Sequence, residues 1–400
     1  MKRRTFGQVM FTAAGGIGAA APDGETANAG VPGQEQGVEV GEINEAVSIA
    51  DIRLMAKARM LPATFDYIDT GSCDQTTLVE NVLAFRRIQV LPPLLSGVGM
   101  TDMSTDVLGR KVQIPILLAP VAGQRMFHPE GGLAAARAAD RMGTIYGMSS
   151  SVHNSVEEIA EASKGPKWFQ LYVPKDRKVT ARLVERVEEA GFKAIVLTVD
   201  LGEWKDSDRR NRFSVPKDIL VKHLRDIGFN HINMDMPEQD VQKFNAEAWD
   251  LALSWEIIGW LRKRTTLPII LKGVLREEDA HRAVIEGVDG IVVSNHGGRR
   301  LDGMPSSIAS LKSIVEVADG HAEVYLDSGI RRGTDVLKAL ALGAKAVLVG
   351  RPYAWGLGAA GEAGVYRVLE LLRDELENAM ISCGCAKVDD ISAELLRLPE

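Results

Sequence analysis

"IVVSNHGGRRLDG" runs from Ile291 to Gly303. Three apolar residues lead without a break into Ser294, Asn295 and His296, and then come a glycine pair and an arginine pair. A continuously apolar run suits a strand buried on both faces, because a half-exposed strand would alternate. The polar residues then mark the point where the strand leaves its sheet.

The same pattern recurs from residue 114 onward. The runs are IPILLAPVA (114–122), TIYGMSS (144–150), KWFQLYV (167–173), AIVLTVD (194–200), PIILKG (268–273), GIVVSNH (290–296), EVYLDSG (323–329) and AVLVGRP (346–352). Helical periodicity follows them. In "SVEEIAEAS", Ser155 and Glu158 form a capping box. "DRKVTARLVERVEEAG" puts Val179, Leu183, Val187 and Ala190 on one stripe and stops at Gly191. Two more helical stretches stop at Gly287 and Gly343. Eight strand–helix units predict an α/β fold, a (β/α)8 TIM barrel. A doubly wound open sheet would not need eight.

Two segments lie outside this alternation. "NEAVSIADIRLMAKARMLPATFDYIDTG" (44–71) reads as a helix and a second short one, separated by Pro62. The connection from about Leu201 to Ala252 shows little periodicity and reads as a long loop after the fourth strand, of the kind that forms lids.

Composition is ordinary for a globular chain of 400 residues: 46% hydrophobic, 25% charged, net charge -7. No basic cluster suggests a nucleic-acid partner. The three cysteines form no CxxC pair and no metal-ligand spacing, so free thiols and no metal site are expected. No stretch is long and apolar enough for a transmembrane helix. The start, "MKRRTFGQVMFTAAGGIGAAAPDG", has a basic head (Lys2, Arg3, Arg4), an Ala/Gly-rich apolar run and small-residue sites. With Thr5-Phe6 after the arginine pair, residues 1–29 resemble a twin-arginine export signal. That predicts a periplasmic or exported protein; the alternative is a disordered tail on a cytoplasmic one. Residues 30–43 read as a linker and 44–396 as the barrel domain.

In such a barrel, reactive residues project from the C-terminal strand ends. Those ends supply Ala122, Ser149, Gln170, Tyr172, Thr198, Asp200, Lys272, His296, Asp327, Gly329, Gly350 and Arg351. After the seventh and eighth strands, Gly329 and Gly350 let the backbone approach closely, and Arg331 and Arg351 add charge. This predicts a phosphorylated ligand. Lys272 suits either an anion partner or a Schiff-base lyase. His296 alone of the seven histidines ends a strand, with Arg299 three residues on. A proton acceptor beside a carboxylate clamp suits proton removal at or next to a carbon bearing a carboxylate. Asp200 can orient the imidazole.

"SNHGGRRLDG", "LDSGIRRGTDVLKALALGAKAVLVGRP", "WFQLYVPKDR", "KAIVLTVD" and "FDYIDTGSCDQTTLVENVLAF" resemble the FMN-dependent L-2-hydroxy acid oxidase/dehydrogenase family, of the glycolate oxidase, lactate oxidase and mandelate dehydrogenase type. The resemblance implies an FMN cofactor, an L-2-hydroxy acid substrate and a 2-oxo acid product. It implies oxygen, a quinone or a cytochrome as acceptor, and a homo-oligomer, since members are often tetramers. By motif, His296 resembles the catalytic base, Arg299 the carboxylate clamp, Tyr67 and Tyr172 the active-site tyrosines, and Asp200 the partner of the histidine. Ala122, Ser149, Gln170, Thr198, Lys272 and Ser294 resemble flavin contacts. Asp327, Gly329, Arg331, Gly350 and Arg351 fall on the remaining cofactor-site motifs.

Three positions depart from the family. "DLGEWKDSDRRNRF" (200–213) is shorter than the family's stretch and lacks its second substrate arginine; Lys205 is the nearest match. Ser151 and Val121 stand where glycolate-type enzymes have a tryptophan and a threonine. These changes leave a flavin-binding relative with altered or lost activity as an alternative.

Overall fold

The computed structural model describes residues 41–201 and 209–399. The export-signal and linker segments, apart from its last residues, lie outside the described residues, as does Lys205.

All eight predicted runs form strands. They are β1 (Ile116–Leu118), β2 (Tyr146–Ser149), β3 (Lys167–Leu171), β4 (Ala194–Thr198), β5 (Ile269–Val274), β6 (Gly290–Val293), β7 (Glu323–Leu326) and β8 (Ala346–Val349). Each pairs in parallel with its sequence neighbours, and β8 returns to β1, so the barrel closes. Continuous apolar sequence is needed because both strand faces are buried. Leu117, Trp168, Val196, Ile270, Val292, Tyr325 and Leu348 fill the interior. Their neighbours Ile116, Leu118, Phe169, Ile195, Leu197, Leu271 and Ile291 pack against the helices.

Ser155 caps its helix through the Glu158 N–H, and Glu158 closes the box. Gly191, Gly287 and Gly343 follow helix ends with positive φ. Pro62 does more than separate two helices. It opens the second, where proline's fixed φ suits the first turn. The N-terminal helices are α1 (Ile49–Arg59), α2 (Pro62–Asp69) and α3 (Thr76–Arg87).

The long connection after β4 departs from the sequence expectation. Its described part carries helices Lys217–Ile227 and Glu238–Glu247, each preceded by a proline. Leu220, Val221, Leu224 and Ile227 bury one face of the first, and Val241 anchors the second. The segment is thus a folded helical pair, held by the same apolar spacing that forms the other helices.

Among the described residues, no helix is long and apolar enough to cross a membrane, and no cluster of metal-binding side chains occurs. The three cysteines are free.

Candidate active site

The stretch after β6 builds the mouth of the barrel. His296, Gly297 and Gly298 take φ values of 58°, 67° and 70°, three left-handed residues in succession. A side chain at Gly298 would bring its Cβ within 2.6 Å of the Leu78 nitrogen, and one at Gly297 within 2.6 Å of an Arg351 guanidinium nitrogen. The glycine pair therefore lets α3 and Arg351 close over the strand end. Asn295 exchanges amide hydrogen bonds with Asn81 of α3, and Asp302 accepts from the Thr76 and Thr77 N–H groups at its start. The same stretch thus turns the His296 ring toward the cavity and fastens the N-terminal helices above it.

His296 Nδ1 lies 2.9 and 3.0 Å from the two carboxylate oxygens of Asp200, at the end of β4. Asp200 sits at about 2: burial would raise it, but His296, Lys272 and Arg300 outweigh that. An ionised carboxylate only accepts, so Nδ1 carries the proton and Nε2 keeps its lone pair. Burial pushes His296 down to about 4 against the pull of Asp200, and Arg300 and Lys272 push the same way. The imidazole is therefore neutral near pH 7, a base ready to accept. Its Nε2 stands 3.4 Å from the Tyr172 hydroxyl.

Arg299 donates to the Tyr67 and Thr70 carbonyls, and its guanidinium lies 4.7 Å from the centre of the Tyr67 ring. Tyr67, on α2, stacks on Phe213 at 4.0 Å. His296, Arg299, Tyr67 and Tyr172 all line a cavity of about 430 Å³ in the barrel mouth. Asp200 stands behind His296 and does not line it.

Most of the remaining predicted residues line the same cavity: Ala122, Gln170, Thr198, Lys272, Asp327, Gly329, Arg331, Gly350 and Arg351. Ser149 and Ser294 do not. Ser149 donates to the Gln170 side chain, which in turn donates to Thr198. Ser294 accepts from both Lys272 Nζ and the His296 N–H. The two serines hold lining residues in place.

Lys272 forms a buried ion pair with Asp327 at 2.9 Å. Burial alone would lower it, yet Asp327 and Asp200 raise it above the ordinary lysine value. A lysine held protonated is no amine nucleophile, so the Schiff-base reading loses its basis. It is instead a fixed positive charge at the cavity wall.

The exits of β7 and β8 form the other end. Arg351 opens the helix Arg351–Ser382 and donates to the carbonyls of Ile68, Gly297 and Thr70. Two further N–H groups remain on its terminal nitrogens, so it ties α2 to the β6 exit and still faces the cavity. Arg331 bonds the Ile330 carbonyl and lies 5.1 Å from the centre of the Trp355 ring. Neither arginine forms an ion pair among the described residues. Burial lowers Arg331 to about 10, and burial together with Arg299 and Arg331 lowers Arg351 well below its usual value. A Cβ at Gly350 would meet nothing closer than 3.8 Å, so that side of the cavity is open at a helix N-terminus. Uncompensated guanidinia beside helix N–H groups fit a dianionic phosphate. Ala119, Ala122, Leu348 and Val349 supply an apolar wall for a planar ring, with Gln170, Thr198 and Lys272 positioned to bond its edge.

A sequence profile of FMN-dependent dehydrogenases matches residues 56–398. This chain belongs to the FMN-dependent dehydrogenase family. It is an FMN-dependent oxidoreductase. It is 46% identical to human 2-hydroxyacid oxidase 1 over 359 residues, covering 88% of this chain and 96% of that protein. It is 46% identical to spinach glycolate oxidase over 351 residues, covering 87% and 95%. A solved mandelate oxidase superposes with a TM-score of 0.78 at 42% identity, over 88% of this chain and 98% of that one. The residues described above fit FMN: Arg331, Arg351, Gly329 and Gly350 at its phosphate, Gln170, Thr198 and Lys272 at its ring edge.

Several residues in or behind the cavity wall carry no sequence signal. Arg300 donates to the Tyr172 hydroxyl and helps hold His296 neutral. Arg210, fully buried, donates to the Arg299 carbonyl and to the Ser72 hydroxyl, and so braces the clamp. Phe213 and Trp249 back the two tyrosines. Each acts across a long sequence separation, which leaves no local motif.

Proposed function

We propose that this enzyme oxidises an L-2-hydroxy acid to the corresponding 2-oxo acid. One observation carries the reading: a neutral His296, fixed by Asp200, shares a cavity with Arg299 and two tyrosines. Arg299 holds the substrate carboxylate, and Tyr67 and Tyr172 bracket the 2-hydroxyl. His296 Nε2 takes one proton from the carbinol, and the resulting imidazolium is stabilised by Asp200. FMN, when bound, would supply the two-electron acceptor for this oxidation, and Lys272 would set a fixed positive charge beside its ring edge. The 2-oxo acid then leaves, and oxygen, a quinone or a cytochrome would serve as the final electron acceptor.

The names of the relatives support this substrate class, as do the intact His296 and Arg299. Val121 and Ser151 line the cavity, so a glycolate-like, lactate-like or mandelate-like acid is selected by a wall of this chain's own. The test is anaerobic addition of a panel of L-2-hydroxy acids to the FMN-loaded protein. Loss of the oxidised-flavin absorbance with at least one acid is expected; none with any acid overturns the reading. Mixing the reduced protein with oxygen and with a soluble quinone then ranks the acceptors.

Assembly as a homo-oligomer and export belong to the same proposal. Lys2, Arg3, Arg4, Thr5 and Phe6 followed by an Ala/Gly-rich run support twin-arginine export. That route carries folded proteins and suits a cofactor loaded before transport. Replacing Arg3 and Arg4 by lysine should retain the protein in the cytoplasm; unchanged export would exclude the route.

A further inference from the structure

His153 and His223 face one another in the wall of the same cavity. His153 leaves the β2 end; His223 comes from the helix Lys217–Ile227. Their rings meet edge to face, 5.0 Å between centres. Both are buried, and both line the cavity at its β2–β4 side. That side lies away from the arginines at the exits of β7 and β8.

No hydrogen bond reaches a ring nitrogen of either histidine among the described residues, and His153 Nδ1 is a buried atom with no partner. A buried polar atom without a partner loses its water contacts and regains nothing, so such atoms are rare. Beside it, the ring nitrogens of His223 have no hydrogen-bond partner among the described residues and are not shut off in the same way, so the pair marks a place in the cavity wall that something else completes. Both imidazoles are neutral. Burial, with Arg125, takes His153 to about 4; burial, His153 and Lys222 take His223 well below its usual value. Each ring therefore carries one N–H and one lone pair and no charge, and His153 meets the cavity through Nε2, since its Nδ1 is shut off. Lys222 is spent on Glu158 and Asp226. Val215, Leu220 and Trp249 add apolar lining to the same cavity, beside the polar Ser214, Gln242 and Asn245.

We infer that His153 and His223 form a subsite for an uncharged hydrogen-bonding group at the far end of the substrate's side chain. The preferred substrate is then an L-2-hydroxy acid with an apolar stem and a terminal hydroxyl or like group. A second carboxylate would have to be stripped of water against two neutral imidazoles, with Lys222 already paired to Glu158 and Asp226. This inference rests on the 2-hydroxy acid reading.

Three acids of equal chain length test it: L-2-hydroxyhexanoate, L-2,6-dihydroxyhexanoate and L-2-hydroxyadipate, with L-lactate as a fourth. In the FMN-loaded wild type, kcat/KM for the dihydroxy acid should exceed that for the plain acid on the order of tenfold, the worth of one good hydrogen bond. The adipate should fall below the dihydroxy acid. In His223→Leu and His153→Leu that ratio should collapse toward one, whatever the absolute rates. His223→Gln, which keeps a donor and an acceptor, should restore part of it. A wild-type ratio near one, a preference for the adipate, or an unchanged ratio in both leucine variants overturns the subsite. In those cases flavin reduction by L-lactate or the plain acid leaves the hydroxy acid reading standing. If none of the four acids reduces the flavin, that reading fails and takes the subsite with it.

Discussion

The exits of β6 and β4 supply the two halves of the His296–Asp200 pair, and they are built in opposite ways. The β6 exit is short and fixed by its backbone. His296, Gly297 and Gly298 are all left-handed, and Asn295 and Asp302 tie the turn to α3. The β4 exit gives Asp200 and then runs through a long excursion, in which Phe213 and His223 return to the cavity and Arg210 braces Arg299 from behind. One segment places His296; the other lines the space that His296 faces. In the proposed reaction, chemistry and specificity are thereby carried by different stretches of chain.

Removing the base should break the first half most severely. His296→Ala should lower kcat by about 10³–10⁴ while the purified protein stays yellow, because the ring holds a proton and not the cofactor. Steady-state kinetics with an absorbance spectrum checks both. Arg299→Leu should cost about a hundredfold in kcat/KM, read over a substrate series, since it removes a buried charged contact to the carboxylate. The backbone of the same exit is tested by Gly298→Ala. A left-handed φ of 70° and a Cβ only 2.6 Å from the Leu78 nitrogen should destabilise the fold by about 2 kcal/mol, measured by denaturant unfolding.

The strand ends were legible because each lies where an apolar run stops, a signal contained in a few residues. His296 and Asp200 could be paired on that basis alone, since both end strands on one rim. The β4 excursion was not legible in the same way. Its helical spacing at Leu220, Val221, Leu224 and Ile227 is present, but it lies among polar, proline-flanked segments with few apolar residues. Arg300, Arg210 and the His153–His223 pair were hidden for another reason. Their roles come from burial and from partners far along the chain, and neither has a spacing. Arg351 was read as a phosphate ligand, yet three of its donors tie α2 to the β6 exit.

Smaller effects sharpen the contrast. The base is active when neutral, so kcat/KM should be flat above His296's value of about 4 and fall as pH drops through it. Arg300 helps depress that value, so Arg300→Gln should move the acid limb to higher pH; an unmoved limb would confine Arg300 to contact with Tyr172. On the β4 side, Lys205→Ala should raise KM only several-fold if Lys205 assists the carboxylate from a single ammonium. An unchanged KM would leave the carboxylate to Arg299 alone.

The most direct test of the central claim resolves the two enantiomers of one acid that the substrate panel finds active. Each is mixed anaerobically with the FMN-loaded wild type, and oxidised-flavin absorbance is followed through one turnover. Arg299, the tyrosines and His296 fix one hand of the carbinol, so the L acid should bleach the flavin and the D acid should leave it oxidised. Equal bleaching by both hands, or bleaching by the D acid alone, would contradict the account.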